Sequence, residues 1–293
     1  MADQTIEFFI PFYGDPRYLL EAVESLRAMH DPDWRVTVLD DCYPHADVDS
    51  MLAQLGDARV RVARNDRNLG ANGNYRTALE VATADYVVIL GADDRVLPNY
   101  LTRIRSVVAA HEPDIAQPGA SVIDDSGHPH LPLGDRVKGW LTPRPPEPRA
   151  YRGQLIATSL LTGNWAYFPS LCWRRETVQR LGFRPFHVVQ DLALIIDVLM
   201  EGGTMAIDPT VAFEYRRHRA SDSSVKATTG ERFDEEQAYL REIAVELDAR
   251  GWRLAALAAR ARLTSRLHAG LTAAAVVRND GTAARRLLRN ALT

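Results

Sequence analysis

The chain has 293 residues, 46% hydrophobic and 25% charged, which fits a globular protein with one large α/β domain or a domain plus a helical appendage. No run of about 18 apolar residues is present and the N-terminus lacks a basic start, which argues against a membrane span and a signal peptide. Cys42 and Cys172 stand far apart without metal-ligand spacing, which favours a reducing compartment and argues against structural zinc.

The net charge of −3 is unevenly distributed along the chain. Between Arg250 and Thr293 there are nine arginines and one acid, Asp280, so the tail is basic and the rest of the chain is acidic. A basic tail suits an anionic partner, a membrane surface or the acidic body of the protein itself. A solvated helix face is the alternative interpretation.

Apolar runs alternate with amphipathic segments over the first 111 residues. The pattern predicts strands over 5–12, 35–41, 60–64 and 86–90. It predicts helices over 16–30, 46–55, 68–82 and 99–111. Such alternation indicates βαβ crossovers and a mostly parallel sheet flanked by helices.

The second half of the chain is less regular. Residues 124–150 are rich in proline and glycine and lack periodicity, so we expect a long loop. The following pattern predicts a helix over 153–162, a strand pair around 166–175, helices over 175–181 and 190–201, and a strand over 210–219. From about 231 the chain is helical in pattern, with no strand.

Three predicted strands end in residues that packing does not require: "PFYG" after the first, "DDC" after the second and "ADD" after the fourth. Ligands of parallel sheets gather at such carboxyl ends. Adjacent acids such as Asp93 and Asp94 can bind a hard divalent cation, although solvated acids after a strand are common. No GxxxxGKS and no GxGxxG follows the first strand, so neither a P-loop nor a dinucleotide fingerprint explains these ends.

Five segments together resemble the family 2 glycosyltransferases of the GT-A fold, in order and spacing: "IPFYGDPRYLLEAVESL", "VTVLDDC", "NLGANGNYRTAL", "DYVVILGADDRVLP" and "QDLALIIDVL". The resemblance covers about residues 5–225. It implies a GT-A domain over 1–230, with a nucleotide-binding half at about 1–122 and an acceptor half at about 123–230. Residues 231–293 would form a helical C-terminal extension that the resemblance does not cover.

The resemblance also implies an inverting, metal-assisted transfer of a sugar from a UDP- or dTDP-sugar to an acceptor hydroxyl. The metal would be Mn²⁺ or Mg²⁺, bound by Asp93, Asp94 and His218, and Asp191 would be the general base. The nucleotide-sugar would be bound by Pro11, Phe12, Tyr13, Gly14, Asp40, Asp41, Asn68, Gly70, Asn74 and Asp93. Gly91 stands where many members have the first acid of the DxD motif, and Gln190 replaces a glutamate.

Both the metal and the base have a clear physical role in such a transfer. A divalent ion neutralises the charge that develops on a diphosphate leaving group. Inversion needs a base on the opposite side of the sugar to take the acceptor proton. The alternative interpretation of Asp191 is structural, because the helix dipole stabilises an acid at the start of a helix. Arg216, Arg217 and Arg219 would suit a diphosphate.

Two other functions remain open. Gly91 and Gln190 keep open a glycosyltransferase-like nucleotide-sugar-binding protein with impaired catalysis. A sugar nucleotidyltransferase is disfavoured because "PFYGDP" lacks a Gly-rich loop with a basic residue. Expected partners are the nucleotide-sugar and a glycan, lipid-linked or small-molecule acceptor, and no nucleic acid. The expected location is the cytoplasm, with peripheral contact at the inner face of the membrane as an alternative.

The tail contains one amphipathic candidate helix, 253–271. Its apolar stripe consists of Leu254, Leu257, Ala258, Ala261 and Leu267. Such a stripe predicts docking onto the body or onto a second subunit. Contact with an anionic bilayer is the less favoured interpretation, because the stripe holds no Trp or Phe.

Overall fold

The structure, a computed structural model, describes residues 4–217, 231–276 and 281–292. Its strands form one nine-stranded sheet. They are β1 Ile6–Phe12, β2 Val36–Asp40, β3 Val60–Arg64, β4 Tyr86–Ile89, β5 Arg95–Val96, β6 Ile115–Ile123, β7 Arg149–Arg152, β8 Cys172–Arg174 and β9 Thr204–Arg216. The helices are α1 Pro16–Arg27, α2 Val48–Ala53, α3 Gly70–Val81, α4 Tyr100–His111, α5 Leu133–Leu141, α6 Gln154–Thr162, α7 Arg175–Leu181, α8 Gln190–Met200, α9 Glu231–Ala249, α10 Arg253–Ala261, α11 Leu263–Val276 and α12 Gly281–Leu292.

The sheet is mostly parallel, as predicted. Its order is β3-β2-β1-β4-β8-β6-β9-β5, and β7 also pairs with β9. β1 to β4 run parallel to one another, and β6 and β9 share their direction because antiparallel β8 lies between β4 and β6. The carboxyl ends of six strands therefore lie along one edge, where ligands of such sheets bind.

Side chains alternate between the two faces of the sheet, as the strand period requires. Phe8 and Ile10 of β1 enter a core cluster with α1 and α4, whereas Phe9 enters a second cluster with α6 and α8. The run Tyr86–Ile89 of β4 is buried throughout, as expected for a strand covered on both faces. The helices therefore hold the strands rigidly beneath the ligand edge.

Two predictions for the second half were wrong. The expected loop over 124–150 contains α5 and the start of β7. The expected strand pair around 166–175 is a single turn of 3₁₀-helix, Phe168–Ser170, followed by β8 alone. Long-range contacts, which leave no periodicity in the sequence, stabilise these elements.

β6 was not predicted, and β9 begins earlier than the expected residue 210. Pro118 and Gly119 interrupt the apolar pattern of β6, where the pairing with β9 shifts register. Gly119 lies so close to β9 that a Cβ there would be 2.7 Å from the Pro209 carbonyl oxygen. A bulge therefore forms at this proline and glycine, which are residue types that normally end strands. For this reason the sequence pattern revealed neither β6 nor the start of β9.

The C-terminal helices dock through a different face from the predicted one. α9 and α10 join the core cluster of α6 and α8, and α10 buries Ala255, Ala256 and Ala259. Leu257 and Leu267 of the predicted stripe are 62% and 59% exposed. The small alanine face permits close approach to α6, and the leucines face solvent. In the described part of the chain, no helix is both long and apolar enough to cross a membrane.

Candidate functional site

A cleft of about 220 Å³ opens at the carboxyl ends of β1 and β2, beside the start of α3. It is lined by Pro11, Phe12, Tyr13, Asp41, Asn68, Gly70, Ala71, Asn74 and Tyr75. Seven of these were expected from the sequence to bind the nucleotide-sugar. Ala71 and Tyr75 were missed, although they lie inside the quoted segment "NLGANGNYRTAL".

Asp41 organises the wall of this cleft. Its carboxylate accepts hydrogen bonds of 2.8 Å from the backbone N–H groups of Leu69 and Gly70 and from the Asn65 side chain. Gly70 has a φ of +71°, a conformation that favours glycine. Asn74 lies one turn further along α3, and its side-chain amide donates to the Leu39 carbonyl at 2.8 Å. The second strand end and the start of α3 thus form one rigid unit.

Asp40 and Gly14, also expected at the nucleotide, do not line the cleft. Asp40 is 1% exposed and is bonded to Arg64 at 2.6 Å, an ion pair within the protein. At the cleft mouth Tyr13 is 56% exposed and meets Tyr43 edge to face, with ring centroids 5.5 Å apart. Tyr13 is therefore an exposed aromatic ring beside the cleft.

The acid pair follows β4. A Cβ placed on Gly91 would lie 2.4 Å from Asp94 Oδ2 and 3.1 Å from Asp93 Oδ1, so both carboxylates converge on this glycine. Asp94 is buried, and Oδ1 accepts from the Arg216 backbone N–H at 2.8 Å. Burial, and then the neighbouring charge of Asp93, raises the pKa of Asp94 well above its usual range.

The acid pair fits a divalent metal only as part of a ligand set. Among the described residues no group of three or more His, Cys, Asp or Glu side chains could hold a metal ion. Two converging carboxylates suit Mg²⁺ or Mn²⁺ when water and substrate phosphate complete the shell, a usual arrangement for Mg²⁺. The third expected ligand, His218, lies outside the described residues, as does Arg219.

Asp191 occupies the first turn of α8, where the helix dipole favours an acid. Its Oδ2 accepts from the Asn164 side chain at 3.2 Å, and its Oδ1 is buried without a partner among the described residues. Burial raises the pKa of Asp191 despite the opposing effects of hydrogen bonds and of Lys138. Asn72 of α3 donates to the Phe186 carbonyl at 2.8 Å, which ties the cleft to the segment before α8.

A second polar cluster connects α5 to the end of β9. Asp135 accepts from the Arg217 guanidinium at 3.0 and 2.8 Å and from the Tyr167 hydroxyl at 3.0 Å. The Lys138 ammonium lies 4.7 Å from the centre of the Tyr167 ring, and burial lowers its pKa to about 8. Asp135 and Lys138 were missed because they fall in the expected loop, where no sequence signal marks them.

Arg216, the last residue of β9, and Arg217, which follows it, are both bonded within the protein. Arg217 pairs with Asp135, and the guanidinium of Arg216 is buried. Both guanidinium groups are therefore already paired, where the sequence suggested that they would suit a diphosphate. Trp165 and Trp173 are core residues with 0% and 1% exposure.

Known proteins share this architecture. S. aureus TarS in complex with UDP-GlcNAc matches 98% of this chain and 89% of its own, with a TM-score of 0.67 at 15% identity. GalNAc-T7 with UDP, GalNAc and Mn²⁺ matches 74% of this chain and 44% of its own, with a TM-score of 0.57 at 16% identity. At such identities the likeness shows the GT-A fold alone.

The sequence comparisons are more specific. The succinoglycan biosynthesis protein ExoO of Rhizobium meliloti (strain 1021) is 25% identical over 222 residues, which are 75% of this chain and 63% of ExoO. The chain therefore spans less than two thirds of that relative. The family model described as "Glycosyl transferase family 2" matches residues 7–174, more than half of the chain. The chain belongs to glycosyl transferase family 2.

Proposed function

We propose that this protein is an inverting glycosyltransferase that moves a sugar from a UDP- or dTDP-sugar to an acceptor hydroxyl, assisted by Mn²⁺ or Mg²⁺. The observation that supports it most is that the Asp41 cleft and the Asp93–Asp94 pair lie along one edge of the sheet, at the carboxyl ends of β1, β2 and β4.

In this proposal the nucleotide occupies the cleft. Residues at the end of β1 and at the start of α3, which Asp41 holds in place, form its walls, and the exposed ring of Tyr13 would stack on the base. Aromatic stacking of this kind is worth about 1–3 kcal/mol per base. Asn68 lines the same wall and in this proposal contacts the ribose, whereas buried Asn74 supports the wall through its bonds to Leu39 and Asn65.

The diphosphate would lie at the acid pair. Asp93 and Asp94 would hold the divalent ion, which when bound neutralises charge on the leaving diphosphate. GalNAc-T7, which shares the fold, contains Mn²⁺ in its structure with UDP and GalNAc, and this supports the choice of metal.

Asp191 would remove the acceptor proton. Its carboxylate is held by Asn164, and burial raises its pKa, which makes it a better base than a solvated aspartate. Gln190 beside it is neutral, so no second carboxylate competes for the proton at this position. A glycan acceptor is part of the proposal, supported by the relative named for succinoglycan biosynthesis.

The described tail suggests peripheral contact with an anionic membrane. Leu263, Leu267 and Leu271 are exposed along one side of α11, and Arg285, Leu288, Arg289 and Leu292 are exposed on α12. An isologous dimer through this leucine–arginine surface would set arginine against arginine, whereas anionic lipid complements it. The two free cysteines fit a reducing compartment such as the cytoplasm.

Two variants test the proposal. Asp93→Asn should weaken metal-dependent UDP binding at least tenfold, because it removes a metal ligand. Asp191→Asn should bind UDP normally, but should turn over the donor, forming UDP from a UDP-sugar or dTDP from a dTDP-sugar, about 100-fold more slowly, the usual contribution of a general base. Calorimetry with Mn²⁺ and a UDP-release assay measure both, with exposed Glu201→Gln as the control.

Failure would be clear. If the wild-type protein bound neither UDP nor dTDP in the presence of metal, the proposed function would be wrong. If Asp191→Asn kept more than about a tenth of the wild-type turnover, Asp191 would not be the base.

A further inference from the structure

The side chain of Arg216 is buried, so it is not exposed to bind a ligand from solvent. Its side chain is 1% exposed, and its guanidinium points into the protein at the end of β9. β9 is held here on both sides: Arg216 pairs with Ile123 of β6, and Phe213 and Glu214 pair with β5, the two-residue strand that directly follows the acid pair. The pairing sets Arg216 beside Asp93 and Asp94.

One residue bonds both members of the acid pair. The Arg216 backbone N–H donates to Asp94 Oδ1 at 2.8 Å, and its Nε donates to the Asp93 carbonyl at 2.7 Å. The first bond orients the Asp94 carboxylate, and the second fixes the peptide that carries Asp93. Arg216 therefore holds the turn after β4, whose two carboxylates converge at Gly91.

The other end of the guanidinium is fastened to two further segments. Nη1 donates to the Asp125 carbonyl at 3.0 Å, in the turn after β6, and Nη2 donates to Glu21 of α1 at 2.5 Å. The group also lies 4.7 Å from the centre of the Tyr18 ring. Only the planar, forked guanidinium reaches all of these partners, because a lysine ammonium is a single compact charge.

We infer that Arg216 is a positioning residue for the metal site: it fixes the Asp93–Asp94 turn against α1 and the turn after β6, and does not bind the diphosphate itself. This inference rests on the proposed metal role of the acid pair. Residues that orient metal ligands typically change metal affinity 10- to 100-fold when they are replaced.

The test compares Arg216→Met and Arg216→Lys with Arg103→Met. Arg103 is a matched control, because it is another arginine bonded to an aspartate, Asp208 of β9, at 2.7 and 2.9 Å, away from the acid pair. We expect both Arg216 variants to raise at least tenfold the Mn²⁺ concentration that gives half-maximal UDP binding. UDP binding without metal should stay unchanged. Arg103→Met should lower the melting temperature but leave the Mn²⁺ dependence unaltered.

A partial variant keeps the test usable if Arg216→Met does not fold. Glu21→Gln alters only a half-exposed partner of the guanidinium, and should shift the Mn²⁺ dependence in the same direction by a smaller factor. If the wild type shows metal-dependent UDP binding and the Arg216 and Glu21 variants match its Mn²⁺ dependence, this inference fails alone. If the wild type shows none, the proposed function fails instead.

Discussion

Replacing Gly91 by alanine should test whether Asp94 is the reason for a glycine at this position. Gly91 has no left-handed backbone conformation that alanine would strain. The obstacle is spatial, because the new Cβ would lie 2.4 Å from Asp94 Oδ2. Asp94 would have to turn away and weaken its bond from the Arg216 backbone N–H.

The expected size of the effect follows from these contacts. Overpacking of this kind costs about 1–3 kcal/mol. A Gly-to-Ala change without strain stabilises by about 0.4–1 kcal/mol, because the unfolded chain loses freedom. Gly91→Ala should therefore destabilise the wild type by roughly 1–2 kcal/mol. In an Asp94→Ala background the severe obstacle is gone and only the contact with Asp93 Oδ1 at 3.1 Å remains, so the same change should be close to neutral.

Urea denaturation of the four proteins in this double-mutant cycle measures the coupling energy, which should be about 1–3 kcal/mol. Gly134→Ala is the control, because a Cβ there meets nothing within 4 Å. Equal costs of Gly91→Ala in both backgrounds would refute the argument that Asp94 excludes a side chain at residue 91.

Two further outcomes are expected. Burial raises the pKa of Asp191, so the charged carboxylate opposes folding at pH 7; Asp191→Asn should raise the melting temperature there, and the gain should shrink as the pH falls toward about 4, where the unfolded carboxyl is also protonated. A lower melting temperature of Asp191→Asn at pH 7 would contradict this. Changing both Arg285 and Arg289 to Gln should weaken binding to vesicles containing phosphatidylglycerol about thirtyfold at low salt, at about 1 kcal/mol per arginine. Sedimentation measures it with the exposed Arg17→Gln as control, and equal binding of the double variant would count against membrane contact.

The nucleotide-binding half was largely predictable from sequence, because strands and helices alternate there with clear periods. β1 to β4 and the convergence of Asp41 with the start of α3 follow from parallel pairing alone. The buried position of Arg216 was not predictable, since it depends on the pairing of β9 with β6, which was not predicted, and with β5, which at two residues has no period to detect. The boundary at 230 and the roles of the site residues stay predictions.

The central position of β8 affects how this protein can fold during synthesis and where chimeras of it can be joined. Its Trp173 pairs with Val87 of β4 on one side and with Ile115 of β6 on the other. During synthesis the two parts of the sheet cannot join until residue 174 has left the ribosome, and the family match ends at the same residue. A fragment ending near 122 would leave the facing edges of β4 and β6 unpaired. Such unpaired edges promote aggregation. Chimeras that exchange C-terminal parts between relatives should therefore be joined after Arg174. At that point β8 already pairs with both β4 and β6.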